Sequence, residues 1–439
     1  MDKDTKEVLA QIYSAAVAAV DPYISVKNNL LLKNGLLVSG GRPITLSDIN
    51  RIYVVGAGKA AYKMARAAED VLGGLIVDSA VVTKDGHGGP LEHIELYEAS
   101  HPLPDGRGVM AAARILEVVR AAGEDDLVIC LLSGGASSLM VQPAPGITLA
   151  DKQVVTGLML ASGADIGEIN CVRKHLSSIK GGRLAEAAYP ARVLSLIISD
   201  VHGDDIGVIA SGPTAPDETT YLQAEEILRM RGVYSRVPEQ ARELLGNGAS
   251  GRIPETPKPG TKIFERVNNL AVAFNKDALD RAAEVAGYLG YHTDIIDPGI
   301  KGEARVAATR LAEEALRYRD SGKPVPACLI VGGETTVTVK GNGRGGRNQE
   351  MALAFSIEAQ GTAGISALFA GTDGTDGPTE AAGGFADGES VRKAAASGLS
   401  ASEYLENNDS YSFLKSTDDL FITGPTGTNV MDIGIILVV

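Results

Sequence analysis

The sequence contains no tryptophan, only 5% aromatic residues and three cysteines in 439 positions. Cys130, Cys171 and Cys328 are odd in number, widely spaced and never arranged as C-x-x-C. This pattern excludes a disulfide scaffold and a zinc site, and it fits a reducing compartment. Cys130 and Cys328 lie inside apolar runs and read as buried strand residues. The six histidines are scattered, with no pair at zinc spacing. No uncharged apolar run approaches the roughly 18–20 residues that span a bilayer. The opening MDKDTKEVLAQIYSAAVAAVDPY carries charge among its apolar positions, unlike a secretory signal. Positive charge is in deficit, 41 Lys and Arg against 55 Asp and Glu, for a net charge of −14. Such a surface repels the phosphate backbone of nucleic acids. The expectation is a cytoplasmic protein with no nucleic-acid and no membrane partner, compatible with a homodimer.

Glycine, by contrast, is abundant: 52 residues, clustered but not periodic, which points to functional turns. The length implies two domains of roughly 150–250 residues each. RIYVVGAGKAAYKMARAAEDVL reads as strand, glycine turn and helix, with Ala60, Met64 and Val71 on one face. DDLVICLLSGGASSLM and ARVLSLIISDVHGDD supply two more strands, apolar throughout, as expected of parallel strands covered on both faces. Residues 108–122 read as a helix with Val109, Ala112, Leu116 and Val119 inward. GNGASGRIPETPKPGTK, residues 246–262, reads as a linker or long loop. The alternation then restarts with NLAVAFNKDALDRAAEVAGYLGYHTDII. A helix over about 303–318, the strand ACLIVGG, a helix from about Asn348 and the strand ISALFAG follow, and the run Ile433 to Val439 looks like a closing strand. The expected fold class is α/β. Two consecutive α/β domains with mainly parallel sheets cover residues 1–250 and 251–439, the first Rossmann-like, with an active-site cleft between them.

Five polar glycine-rich segments each follow an expected strand: GAGKAA, SGGASS, SDVHGDD, GGETT and GTDGTDG. Ligands of open parallel sheets bind beyond the carboxyl ends of the strands, so these loops are the candidate site. Gly56-Ala-Gly58-Lys59-Ala-Ala61 resembles the G-x-G-x-x-A dinucleotide fingerprint, but the next strand ends on Lys84 where a ribose-binding carboxylate is expected. Lys59 at a helix start is unfavourable beside the helix dipole unless an anion binds there. Ser133, Gly134, Gly135, Ser137 and Ser138 offer amides and hydroxyls to a carboxylate or phosphate, or serve as helix caps. Arg173, Lys174, His175, Lys180 and Arg183 form a basic cluster, either an anion clamp or a solvated face. Asp200 ends a strand and is placed to accept a hydroxyl proton or to hold Mg²⁺. Arg347, set among glycines at a helix start, suits charge on a transferring phosphoryl group. Asp373 and Asp376 suit a hard cation without EF-hand spacing. Glu334 in GGETT is a further acidic candidate, and Thr335 beside it joins the substrate-binding set.

Taken in order, VVGAGKAAYKMA, LLSGGASSLM, RKHLSSIKGGRLA, LIISDVHGDDIGVIASGPTAPD, GGETTVTVKGNGRGGRNQEMALA and AGTDGTDGPTEAAGG resemble the class II glycerate kinases, whose C-terminal part is the MOFRL domain. The resemblance runs from about Leu9 to beyond Gly427. It implies phosphorylation of D-glycerate by ATP with a divalent metal, Mg²⁺, normally giving 2-phosphoglycerate. It also implies catalytic roles for Lys59, Asp200 and Arg347. Two other readings stay open: a nicotinamide-dependent hydroxypyruvate reductase, a label some relatives carry, and a non-catalytic sugar-phosphate sensor.

Overall fold

The apolar runs fold as strands that build three sheets in this computed structural model, which describes residues 1–439. The chain divides into two compact units. One is Pro22–Val272, and the other combines Met1–Asp21 with Ala273–Val439.

The first unit opens with an antiparallel sheet of β1 (Leu30–Lys33), β2 (Leu36–Ser39) and β3 (Arg42–Thr45). Its main sheet contains β4 (Ile52–Ala57), β5 (Ile76–Lys84), β6 (Leu96–Ala99), β7 (Leu127–Leu132), β8 (Arg192–Ile198) and β9 (Val267–Ala273). The spatial order is β6-β5-β4-β7-β8-β9, and the five strands β4 to β8 pair in parallel. Counted from β4, this is the 3-2-1-4-5-6 order of a Rossmann fold, so the strand order reverses between β4 and β7. Both β4 and β7 are buried at every residue. The helix Gly106–Arg120 covers one face with Ala112, Ile115, Leu116 and Val119, while Val109 is only half-buried. Four helices between Leu149 and Ala249 form a separate core around Val155, Met159, Val172, Leu228 and Leu245. Thr148 and Asp165 start two of these helices with capping boxes, each worth about 1 kcal/mol.

The second unit holds β10 (His292–Ile300), β11 (Ala327–Gly333), β12 (Ile365–Gly371), β13 (Gly383–Asp387), β14 (Leu420–Phe421) and β15 (Asp432–Val438). Their order is β10-β11-β15-β12-β13-β14. Only β10 and β11 pair in parallel; β15 runs antiparallel to β11 and β12, and β13 and β14 continue antiparallel. The expectation of mainly parallel sheets therefore holds for the first unit, while the second sheet is mixed. The last apolar run closes nothing at an edge: it is the centre of its sheet. An apolar strand reads the same whether its covered neighbours run with it or against it.

The division also differs from a boundary at 250. Residues 246–262 form no linker. Thr256 is buried and donates to Asp217 (3.0 Å), and Asp217 N donates to the Pro257 carbonyl (2.9 Å), which seals this loop into the first unit. The helix Lys3–Ala19 belongs to the second unit. It buries Leu9, Ile12, Tyr13 and Ala16, and Tyr13 donates to the Gly371 carbonyl at 2.7 Å. By length and composition alone Lys3–Asn29 could cross a membrane. The fold instead breaks it at Val20–Asp21 into two helices and buries the apolar face of the first in protein.

Candidate active site

In the first unit, three expected segments meet at the carboxyl ends of neighbouring strands: Lys59 after β4, Ser133–Ser138 after β7 and Asp200 after β8. This is the switch point where an open α/β sheet binds ligands. The β4 turn, however, is not a pyrophosphate cradle. Its amides are spent inside the protein: Gly58 N to Val82 O (3.1 Å), Lys59 N to Gly134 O (2.8 Å), Ala60 N to Ser133 Oγ (3.1 Å) and Ala61 N to Gly58 O (3.2 Å). Gly56 and Gly58 serve this closure. A Cβ on Gly56 would stand 2.6 Å from the Leu131 carbonyl, and one on Gly58, at φ +140°, 2.0 Å from Ser133 Oγ. The turn amides from Gly58 to Ala61 are therefore closed to an anion beside Lys59. Donors remain on the facing loop, where Gly134 and Gly135 N–H donate to no protein acceptor. Gly135 sits at φ +86°, and the side chains of Lys59 and His101 close on it; a Cβ there would lie 3.1 Å from each. A dinucleotide would also need a free carboxylate after β5. Asp85, the first acid there, is held bidentately by Arg107 at 2.6 and 2.7 Å.

Three members of the basic cluster, Lys174, Lys180 and Arg183, are engaged with protein partners. Lys174 is buried and paired with Asp217 at 3.2 Å. Arg183 donates to the Ser177 carbonyl and, at 2.9 Å, to the Tyr221 hydroxyl. Lys180 donates to Ser137 O (2.8 Å) and Ser137 Oγ (3.0 Å). Ser133 is fully buried and its hydroxyl accepts from Ala60 N, and the Ser137 hydroxyl is bonded to Ser211 Oγ (2.8 Å). Among the loop's hydroxyls, only Ser138 has no such internal partner.

In the second unit, Arg347 opens the helix Arg347–Glu358. Asp432 grips it bidentately, Nε at 2.5 Å and Nη2 at 2.8 Å, while Glu334 takes Nη1 at 2.8 Å. Burial opposes the guanidinium charge, but Asp432 and Glu334 outweigh it and raise the Arg347 pKa above its ordinary value. A cavity of about 580 Å³ opens here, lined by Glu334, Thr336, Gly345, Arg347, Asn408 and Ser410 among others. Thr335 also lines this cavity, but it is buried and its hydroxyl is held against Met351 Sδ (3.6 Å).

Asp376 and Asp373 do not fit a metal pair. Asp376 is buried at the start of the Arg347 helix and accepts from Asn348 N (3.2 Å), Asn348 Nδ2 (3.3 Å), Gln349 N (2.9 Å) and Gln349 Nε2 (3.0 Å). Both of its oxygens are therefore occupied as a helix cap. Burial pushes its carboxyl up to about 6. Asp373 Oδ1 accepts from Thr375 N and Oγ1, both at 3.0 Å. No cluster of three or more His, Cys, Asp or Glu side chains is arranged to hold a metal ion.

Sequence reasoning missed His101, Ser211, Asn170 and Asp432. Asp432 precedes the final apolar run without any motif. Only the antiparallel insertion of β15, pairing Asp432 with Gly333 and Gly371, brings that strand's first residue to the carboxyl ends of its neighbours. His101, in HPLPDG after β6, has a turn signature but no metal or triad spacing.

A family model described as a domain of unknown function, DUF4147, matches residues 8–246, and the MOFRL family model matches residues 327–432. The D-glycerate 2-kinase of Thermotoga maritima is 42% identical over 99% of this chain and 98% of its own length. The glycerate 2-kinase of Pyrococcus horikoshii is 39% identical over the same shares. A crystal structure of glycerate kinase from T. maritima matches with a TM-score of 0.85 at 42% identity, covering 100% of both chains. With the ordered motifs and the switch-point site, these likenesses show that the chain belongs to the class II glycerate kinase family.

Proposed function

We propose that this chain transfers the γ-phosphoryl group of ATP to D-glycerate, giving 2-phosphoglycerate and ADP. The observation that carries the reading is the state of the β4 turn: its amides are consumed internally, while Lys59, the Gly134 and Gly135 amides and Asp200 belong to adjoining strand ends. That set suits a small carboxylate and a phosphoryl group better than a dinucleotide. The Gly134 and Gly135 N–H groups take the glycerate carboxylate. Asp200 accepts the proton of the attacking hydroxyl as the new O–P bond forms and the bond to the β-phosphate oxygen breaks. Lys59 of the first unit and Arg347 of the second are the cations suited to charge on a transferring phosphoryl group. Asp432 keeps the Arg347 fork oriented, and Glu334 yields Nη1 when the phosphoryl group arrives. Mg²⁺ enters with ATP as part of the co-substrate. The setting is cytoplasmic.

The test is a coupled assay with ATP, Mg²⁺ and D-glycerate in which enolase is the only reporting enzyme. Enolase accepts 2-phosphoglycerate and not 3-phosphoglycerate, so one trace reads both activity and position. Arg347→Ala is expected to lower kcat by on the order of 10²-fold or more. Turnover of hydroxypyruvate with NADH or NADPH, and none of D-glycerate, would overturn the reading in favour of the reductase.

A further inference from the structure

Two lysines of the first unit are buried with no carboxylate beside them. Lys152 has one acceptor, the Leu176 carbonyl at 2.8 Å. Lys180 has two, both on Ser137. Neither belongs to the chemistry described above. Lys180, however, touches the Ser133–Ser138 loop from behind.

We propose that Lys180 is the positioning residue of that loop, holding Ser137 through its carbonyl and hydroxyl so that the Gly134 and Gly135 amides keep their aim at the glycerate carboxylate. This rests on the proposed role of those amides.

The hydrogen-bond chain has one consistent direction. Asn170 Oδ1 only accepts, so Ser211 donates to it at 3.1 Å. Ser211 Oγ then accepts from the Ser137 hydroxyl at 2.8 Å. Ser137 Oγ in turn accepts from Lys180. The same short segment is strapped in place twice more, by Gly181 N to Ser211 O (3.0 Å) and Gly182 N to Gly212 O (2.7 Å). Lys180, Ser137, Ser211 and Asn170 therefore form one braced unit under the loop.

Two acceptors, both on Ser137, match the two protons of a neutral amine. An ammonium has three protons to place, and a neutral amine has two. Lys180 is 1% exposed and meets two acceptors. The charged groups facing it are Lys152 and Arg173, both cationic. Burial first, and these charges second, push its pKa well below the ordinary lysine value. A neutral amine can brace the loop without adding a fixed charge behind an anion site.

Lys180→Met keeps the length of the side chain and removes both donors. Its KM for D-glycerate should rise about tenfold or more, as expected for two lost buried hydrogen bonds, while its KM for ATP stays within about twofold. Lys180→Ala leaves space for an added small amine. Ethylamine should lower its KM for D-glycerate, and the rescue should grow with pH as the free amine fraction grows. If Lys180→Met melts lower but keeps wild-type KM and kcat, the residue is merely structural and the inference fails. Rescue by ethylamine that does not depend on pH overturns the neutral form. A raised KM for ATP with an unchanged KM for D-glycerate keeps Lys180 as the brace and overturns instead the assignment of the loop to glycerate.

Discussion

Lys152 provides the sharpest energetic test of this structure. It lies in the helix Leu149–Ala161, almost wholly buried, with one carbonyl partner and two neighbouring cations, Arg173 and Arg183. Burial, helped by those charges, lowers its pKa from 10.5 to about 7. Unfolding releases the amine to water, where it takes up a proton. The folded pKa is depressed, so between pH 7 and 10.5 the unfolded chain binds more protons and stability must rise with pH. Linkage from these two pKa values puts the cost of keeping Lys152 folded at about 4 kcal/mol at pH 7 and about 1 kcal/mol at pH 10. Lys152→Met removes that cost and leaves the Leu176 carbonyl without its donor, a loss of about 1–3 kcal/mol that does not vary with pH. The variant should therefore be more stable than wild type by about 1–3 kcal/mol at pH 7, and equal or less stable at pH 10. The assay is urea unfolding of both proteins at several pH values between 7 and 10. The slope of the difference, about 3 kcal/mol over that range, is the signature. A difference that stays flat with pH would show that Lys152 is charged in the folded protein and refute the reasoning.

Gly58→Ala should cost at least about 2–3 kcal/mol, because its Cβ would stand 2.0 Å from Ser133 Oγ at a φ of +140°; a wild-type melting temperature would show that the turn is not closed as described. Asp376→Ala should lower stability by about 1–2 kcal/mol through loss of the cap, with the Mg²⁺ concentration for half-maximal activity unchanged; a shift in that requirement would restore Asp376 as a metal ligand. The Asp376 carboxyl is raised from 3.8 to about 6, so the stability it contributes is complete below pH 3.8 and lost as pH rises through 6. The gap between wild type and Asp376→Ala, about 1–2 kcal/mol at pH 7, should accordingly be about 2 kcal/mol wider at pH 4.

The first unit was largely legible from its sequence. Continuous apolar runs ending in glycine turns gave β4, β7 and β8, and strand ends in a parallel sheet all deliver their loops to one side. That rule alone puts Lys59, Ser133–Ser138 and Asp200 at adjoining strand ends, where the fold has them. What a sequence does not display is which amides and hydroxyls are already engaged. Ser133, Ser137, Lys174 and Thr335 looked available and are occupied or buried, because their partners come from 16 to 74 positions away. The second unit was less legible. Its strands were recognisable, but direction carries no signature in a fully covered strand, so the place of β15 and the role of Asp432 stayed hidden. Asp376 was misread for a related reason: a carboxylate in a glycine loop looks the same whether it meets a cation or the first turn of a distant helix.

The position of β15 has a consequence for how the protein is made. It is the last of the fifteen strands in chain order, yet it joins β11 to β12. Until it emerges from the ribosome, those two strands each present an unpaired apolar edge. About 60 residues separate the end of β12 from the start of β15, so at ribosomal speed the open edges persist for roughly 3–12 s. The Asp432 grip on Arg347 is also installed only then. The β4–β8 core of the first unit, contained within Ile52–Ile198, can be complete long before. Nascent chains should therefore carry a finished Rossmann sheet beside a sticky, half-built one, and that interval is where chaperone capture and misassembly concentrate.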